Sequence, residues 1–235
     1  MTEKTNDEFI EITRIKEEFI ANASHELKTP IASVRLAAES ALRSLELDDN
    51  MAVTFLEQIV RDSDRMNELI SDLLDLSAME SSDVLMETFN LHEVISNEIA
   101  YLSKLNKKRI VYKKKKVEVY ANFDDVSLAI KNLIKNALKY SPPEENILIE
   151  VLEENTFVKC SFQDFGSGIS KVDQEKIFER FYRVDKGRSR KIGGTGLGLA
   201  IVKHALDRNN AEIDIISEVG NGSTFTIIFP KVNAE

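Results

Sequence analysis

A helical hairpin followed by an α+β sandwich is the fold class that three features of this 235-residue chain predict. The first third repeats apolar residues at steps of three and four, and the remainder alternates short apolar strands with helices. Between them lies "AMESSDVLMET" (78–88), whose Ser, Asp and Thr content marks a connection. Residues 1–82 are therefore predicted as one domain and 83–235 as a second.

The first helix is predicted from Asp7 to about Leu45, with Ile12, Ile15, Phe19, Ala23 and Leu27 at the spacing of a coiled-coil seam. "ELDDN" (46–50) breaks it, and a second helix over Met51–Met79 carries Phe55, Ile59, Met66, Leu69, Ile70, Leu73, Leu74 and Leu76. Two long helices joined by a short polar turn form an antiparallel hairpin. Alone, such a hairpin leaves its apolar stripe in water, so pairing of two copies into a four-helix bundle, a homodimer, is expected. Beyond the connection, residues 90–105 read as a helix and 109–120 as a β-hairpin with "KKKK" (113–116) at its solvated end. A helix over 124–140 stops at "SPP", two strands fill 147–163, and another helix covers 197–209. Strands at 212–217 and 223–229, joined by the glycine-rich turn "EVGNGS", close a sheet with helices layered on one face.

Composition narrows the function. With 43% hydrophobic and 30% charged residues the chain suits a soluble globular protein, and a net charge of −9 opposes nonspecific binding to nucleic acid. No run approaches the ~18 apolar residues needed to cross a bilayer, so no membrane segment is expected. "MTEKTNDEFIEI" has no apolar core behind a basic start, so a cytosolic chain, or the cytosolic part of a longer one, is expected. Cys160 is the single cysteine, which excludes an internal disulfide framework and a cysteine-cluster metal site; it reads as a small apolar residue in a buried strand. His92 and His204 have no partners at metal-ligand spacing and read as surface or packing residues.

The third histidine is different. In "ANASHELKTPIASV" (21–34), His25 and Thr29 share a helix face, Glu26 lies beside His25, and Pro30 removes the N–H that would pair with the Glu26 carbonyl. A titratable cluster beside a helix-interrupting proline is not what packing requires, and a kink is expected there.

The second domain holds three pieces of a nucleotide site. "NLIKNALKYS" puts Asn132 and Asn136 on one helix face, where amide oxygens suit Mg²⁺, with Lys139 one turn on for a phosphate. "DFGSG" (164–168) places Asp164 at a strand end before glycines, where its carboxylate can meet a ring amino group. "GGTGLGLAIVKHAL", from Gly193, feeds backbone amides to a helix N-terminus, an anion site that matches neither a P-loop nor a dinucleotide fingerprint. The long polar segment between the last two carries Arg183, Arg188 and Arg190 and has the length of a functional loop.

In this order, "SHELKTP", "NLIKNALKYS", "DFGSG", "FERFYR" and "GTGLGLA" resemble the H, N, first glycine, F and second glycine boxes of the sensor histidine kinases of two-component signalling. The resemblance spans roughly residues 8–232 and implies a dimerisation and phosphoacceptor hairpin followed by an ATP-binding domain of the Bergerat fold. It implies His25 as phosphoacceptor, Glu26 as its orienting or proton-accepting neighbour, and Thr29, in Glu-x-x-Thr, as a phosphatase residue. Asn136 with Asn132 would hold Mg²⁺, Lys139 and Arg183 would face the phosphates, and Tyr140 would lie near the nucleotide. Asp164, with Gly166 and Gly168, would read adenine, and Gly194, Thr195, Gly196, Leu197 and Gly198 would close on the phosphates, residues 166–197 including an ATP lid. The implied partner is a response-regulator receiver domain. One position departs: Phe165 stands where the family commonly has Asn, which changes local polar contacts. Two rival readings stay open at this point, an ATPase of the same fold and a non-catalytic dimerisation module. Such ATPases carry a water-activating glutamate one turn before the metal asparagine, where this chain has Asn132.

Overall fold

The computed structural model describes residues 2–46, 51–184 and 194–231. The chain divides into two compact units: Met1–Leu73 with Gly193–Thr195, and Leu74–Ile192 with Gly196–Glu235.

The first unit is built on α1 (Thr2–Glu46) and most of α2 (Ala52–Ser81). Pro30 lies inside α1, which continues through it as one helix. Ala23, Ala37, Ala41, Ala52 and Leu69 are buried, whereas Ile20, Leu36, Leu42, Leu56 and Val60 stand in solvent. Four alanines and Leu69 are thus shielded while several larger residues are left exposed, an apolar stripe of the kind a second copy can bury. The side chains of Ile12 and Ile15, and the turn at Leu47–Asn50, lie outside the described residues.

The second unit begins with the end of α2, because polar contacts tie that end to it. Arg208 donates to the Met79 carbonyl and, at 3.0 Å, to Asp125, and Arg180 meets Glu80 at 2.8 Å. The remaining elements are β1 (Glu87–Asn90), α3 (Leu91–Tyr101), α4 (Lys104–Lys108), β2 (Ile110–Tyr112), β3 (Glu118–Ala121), α5 (Phe123–Tyr140), β4 (Ile147–Glu153), β5 (Phe157–Asp164) and α6 (Lys171–Gln174). Then follow α7 (Gly198–Arg208), β6 (Glu212–Glu218) and β7 (Gly222–Pro230). The five-stranded sheet runs β2-β4-β5-β7-β6, antiparallel except for the parallel β2–β4 pair. Its strands alternate: Val158, Cys160 and Phe162 of β5 are buried under the helices, while Lys159, Ser161 and Gln163 face outward. Burial pushes the Cys160 thiol far above its ordinary range, the chemistry of an inert core residue.

The region 87–121 differs from the expectation. Residues 109–120 do not form a hairpin: β2 pairs with β4, and β3 pairs with β1, a strand inside the stretch read as connection and helix start. The four lysines are exposed, but they join two sheets rather than cap one. The helix expected over 90–105 stops at Leu102, whose extended backbone ends α3. No helix among the described residues is long and apolar enough to cross a membrane.

Candidate functional site

Helix α5 starts where the Asn122 side chain accepts from the Asp125 N–H at 2.9 Å, and its apolar spacing buries Val126, Ala129, Ile130, Leu133, Ile134 and Ala137. That phase turns Asn132 inward to 9% exposure and leaves Asn136 and Lys139 half-buried. The Asn132 amide nitrogen donates to the Leu128 carbonyl at 3.0 Å, so its oxygen points the other way. A Cβ added to Gly198 would stand 3.1 Å from that oxygen, which places the start of α7 beside it. Lys139 Nζ lies 5.6 Å from the Tyr140 ring centroid, and Tyr140 is 42% exposed. Ser141 ends the helix and accepts from the Phe165 N–H at 3.0 Å, joining α5 to the loop after β5.

Asp164 ends β5 at 4% exposure, in register with Ser223 of β7. Its carboxylate accepts from the Gly166 N–H at 2.9 Å and from the backbone and hydroxyl of Ser223. Burial outweighs these bonds and raises its pKa above the ordinary carboxylate value. The Ser223 hydroxyl lies 2.9 Å from that of Ser217, which accepts from the Ile169 N–H at 2.8 Å. The loop 165–170 is thus fastened at both ends, with Gly168 at φ 66. A Cβ at Gly166 would come within 2.5 Å of the Tyr140 carbonyl oxygen, so only glycine lets the two segments meet. The Phe165 side chain is 37% exposed, and its N–H donates to Ser141.

Phe181 holds the glycine loop by its backbone. It sits at φ 64, a conformation that a bulky residue adopts only when its surroundings demand it, and donates to the Gly196 carbonyl at 2.9 Å. Gly196 (φ 76) would drive a Cβ to 2.9 Å from the Phe181 backbone. Next to it, the Tyr182 hydroxyl donates to Asp173 at 2.7 Å; hydrogen bonds from Ser170 and then Tyr182 hold the Asp173 carboxyl below its usual range. Arg183 is half-buried and Leu197 fully buried. Gly193, Arg188 and Arg190 lie outside the described residues. Gly194 and Thr195 group with the first unit, where the Thr195 hydroxyl donates to Asp72 at 2.5 Å. The structure therefore brings together Asn132 with Gly198, Tyr140 with Gly166 and Asp164, and Phe181 with Gly196.

In the first unit His25 is exposed on α1. The Thr29 hydroxyl donates back to the His25 carbonyl at 3.3 Å, leaving its lone pairs outward. Glu26 meets Arg65 of α2 at 3.0 Å. Away from these groups, His92 bonds Tyr112 and Ser96, and His204 Nε2 is buried with no hydrogen-bond partner among the described residues. Sequence reasoning did not single out Ser223, Ser141 or Arg65. Their contacts depend on strand register or helix pairing, which no local motif encodes.

Residues 15–82 match the family model of the His Kinase A (phospho-acceptor) domain, and residues 121–233 that of histidine kinase-, DNA gyrase B- and HSP90-like ATPases. The chain is 36% identical over 222 residues to sensor-like histidine kinase SenX3 of Mycolicibacterium smegmatis, covering 92% of this chain and 58% of that protein. It is 37% identical over 228 residues to sensor histidine kinase WalK of Bacillus subtilis, covering 92% and 36%. The phosphate regulon sensor protein PhoR of Pseudomonas aeruginosa is 35% identical over 227 residues, covering 93% and 51%. The chain thus spans between 36% and 58% of these relatives' lengths. Among solved structures, the Acinetobacter baumannii histidine kinase AdeS superposes at a TM-score of 0.64 with 23% identity, covering 89% of this chain and 98% of that one. Histidine kinase ThkA in complex with response regulator TrrA superposes at 0.72 with 22% identity, covering 94% and 64%. At these identities the two structures share the fold.

Proposed function

We propose that this chain, which belongs to the sensor histidine kinases of two-component signalling, is an ATP-dependent autokinase that phosphorylates His25 and passes the phosphoryl group to an aspartate of a response-regulator receiver domain. Residues 1–82 form the phosphoacceptor hairpin and dimerise through the exposed stripe; residues 83–235 bind ATP; a cytoplasmic location is part of the same proposal. The observation that carries it is Asn132, a neutral amide tied to the Leu128 carbonyl where ATPases of this fold have a proton-accepting glutamate. An amide cannot take a proton from water, so the γ-phosphoryl group needs another acceptor, and the exposed His25 is a nitrogen nucleophile beside a carboxylate.

The Asn132 oxygen, turned toward Gly198, and the Asn136 amide fit Mg²⁺ as hard neutral ligands that leave room for phosphate oxygens and water. When bound, the ion neutralises phosphate charge. Lys139, Arg183 and the amides of the glycine loop add positive potential, and Asp164 accepts from the adenine amino group. One imidazole nitrogen of His25 forms a bond to the γ-phosphorus, while the bond to the bridging oxygen breaks and leaves its electron pair on ADP. The proton on the other nitrogen passes to Glu26. Phosphotransfer then breaks the P–N bond and forms a P–O bond on the receiver aspartate.

Incubation with ATP labelled at the γ-phosphate separates this from its rivals. Acid-labile label on the protein is the expected result. Released phosphate without labelled protein would mean an ATPase, and neither would mean a vestigial module.

Phosphatase activity on the partner is a companion proposal, favoured by Thr29. Its exposed hydroxyl, with the proton given to the His25 carbonyl, can accept from a water in line with an aspartyl phosphate. Thr29→Ala is expected to slow release of phosphate from the phosphorylated receiver by about tenfold or more. Helix stability should not suffer, because alanine is the better helix former. Unchanged phosphatase rate would end that role for Thr29.

A further inference from the structure

We propose that Arg65 is a positioning residue for histidine phosphorylation, holding Glu26 where it receives the proton of His25. Glu26 and His25 are adjacent on α1, and adjacent side chains on a helix leave it about 100° apart, so they do not face each other by default. A glutamate has three rotatable bonds, and one aimed at the neighbouring imidazole needs a third group to fix it. Arg65, 39 residues away on α2, supplies it: Nη2 donates to Glu26 Oε2 at 3.0 Å. The side chains are 18% and 27% exposed, against 57–83% for the Arg35–Glu39, Arg61–Glu57 and Arg14–Glu18 pairs. Those pairs each lie within one helix, four residues apart, and contribute little. Among the described ion pairs of the hairpin, Glu26–Arg65 joins its two helices and is shielded from water.

The arrangement has the logic of other activated nucleophiles, in which the base beside the nucleophile is itself oriented by a third group. Arg65 binds one carboxylate oxygen, leaving the other to accept from the imidazole. The proton lost by the nitrogen ends on Glu26, and Arg65 exchanges none. The proposal rests on the base role of Glu26.

The test measures initial rates of acid-labile labelling across ATP concentrations for the parent, Arg65→Gln, Arg65→Lys, Glu26→Gln and the double variant Arg65→Gln/Glu26→Gln. A positioned base contributes ~10²-fold or more, so losing its orientation in Arg65→Gln is expected to lower kcat about tenfold while KM for ATP stays within about twofold. Arg65→Lys, which keeps a donor, is expected to recover most of the rate. The double variant should be no slower than Glu26→Gln, because an orienter has nothing left to orient. Arg65→Gln at the parental rate beside a slow Glu26→Gln, or losses that multiply in the double variant, would overturn the role of Arg65. A parental rate in Glu26→Gln would instead overturn the base role beneath it. Melting followed by helical circular dichroism accompanies each variant, and if Arg65→Gln does not fold, Arg65→Met and Arg65→Lys carry the comparison.

Discussion

His25→Gln is expected to abolish acid-labile phosphorylation, a loss of at least about 10⁴-fold, while ATP binding stays within about twofold of the parent. The two halves of that result have separate causes. An amide nitrogen has its lone pair delocalised into the carbonyl and does not attack phosphorus, so the covalent step has no substitute. Glutamine is otherwise a mild replacement: His25 is exposed, so no cavity opens, and Gln favours helix at least as well as His. The stability change should lie within about 0.5 kcal/mol, as for other surface substitutions. The residues proposed to bind nucleotide, Asn132, Asn136, Asp164 and the glycine loop, do not lie on α1. Gel autoradiography after acid and alkaline treatment measures the first half, and calorimetric titration with a non-hydrolysable ATP analogue the second. Acid-labile label persisting on the variant would remove His25 as phosphoacceptor.

The parts of this molecule that were legible in the sequence are those whose information is local. The long hairpin declares itself because dozens of residues repeat one period, and α5, β4, β5, β6 and β7 because turn residues bracket them. Asn132 was legible from its four-residue spacing to Asn136 on one helix face, and Asp164 from the glycine two residues on, where the backbone approaches closely at Gly166. What failed was non-local. β1 is four residues long and gains its identity from pairing Glu87–Asn90 with Glu118–Ala121, some thirty residues on. β2 and β3 flank a polar run and so imitate a hairpin, yet β2 lies parallel to β4 beyond α5. Ser223 and Arg65 were missed for the same reason. A serine in a strand and an arginine on a polar helix face are unremarkable until register sets one opposite Asp164 and helix pairing sets the other against Glu26.

Asp164→Asn separates what the buried carboxylate does for the nucleotide from what it does to the fold. Burial raises the Asp164 pKa, so ionising it opposes the folded state. For a carboxyl raised in this way, the stabilising contribution is fully present below the ordinary value of about 3.9 and is lost as pH rises through the raised folded value. Nucleotide recognition has the opposite sign. If Asp164 reads adenine as proposed, its ionised form accepts from the amino group more strongly than the protonated carboxyl. Affinity should then rise as pH climbs through that same raised value and fall on acidification earlier than an ordinary carboxylate would dictate. Asparagine removes the buried charge but keeps one oxygen for three donors, the Gly166 N–H and the N–H and hydroxyl of Ser223. Relief of the charge and loss of a hydrogen bond oppose each other, so the unliganded variant should melt close to the parent at neutral pH. Its amide N–H₂ would face the adenine N–H₂, donor against donor, replacing a charge-assisted bond with an unpaired confrontation. A loss of about 10²-fold or more in ATP affinity is expected. Thermal melts with and without nucleotide across pH check both signs, and comparing parent with variant at each pH cancels titration of the nucleotide itself. An Asp164→Asn protein that bound ATP within about threefold of the parent would show that adenine is read elsewhere.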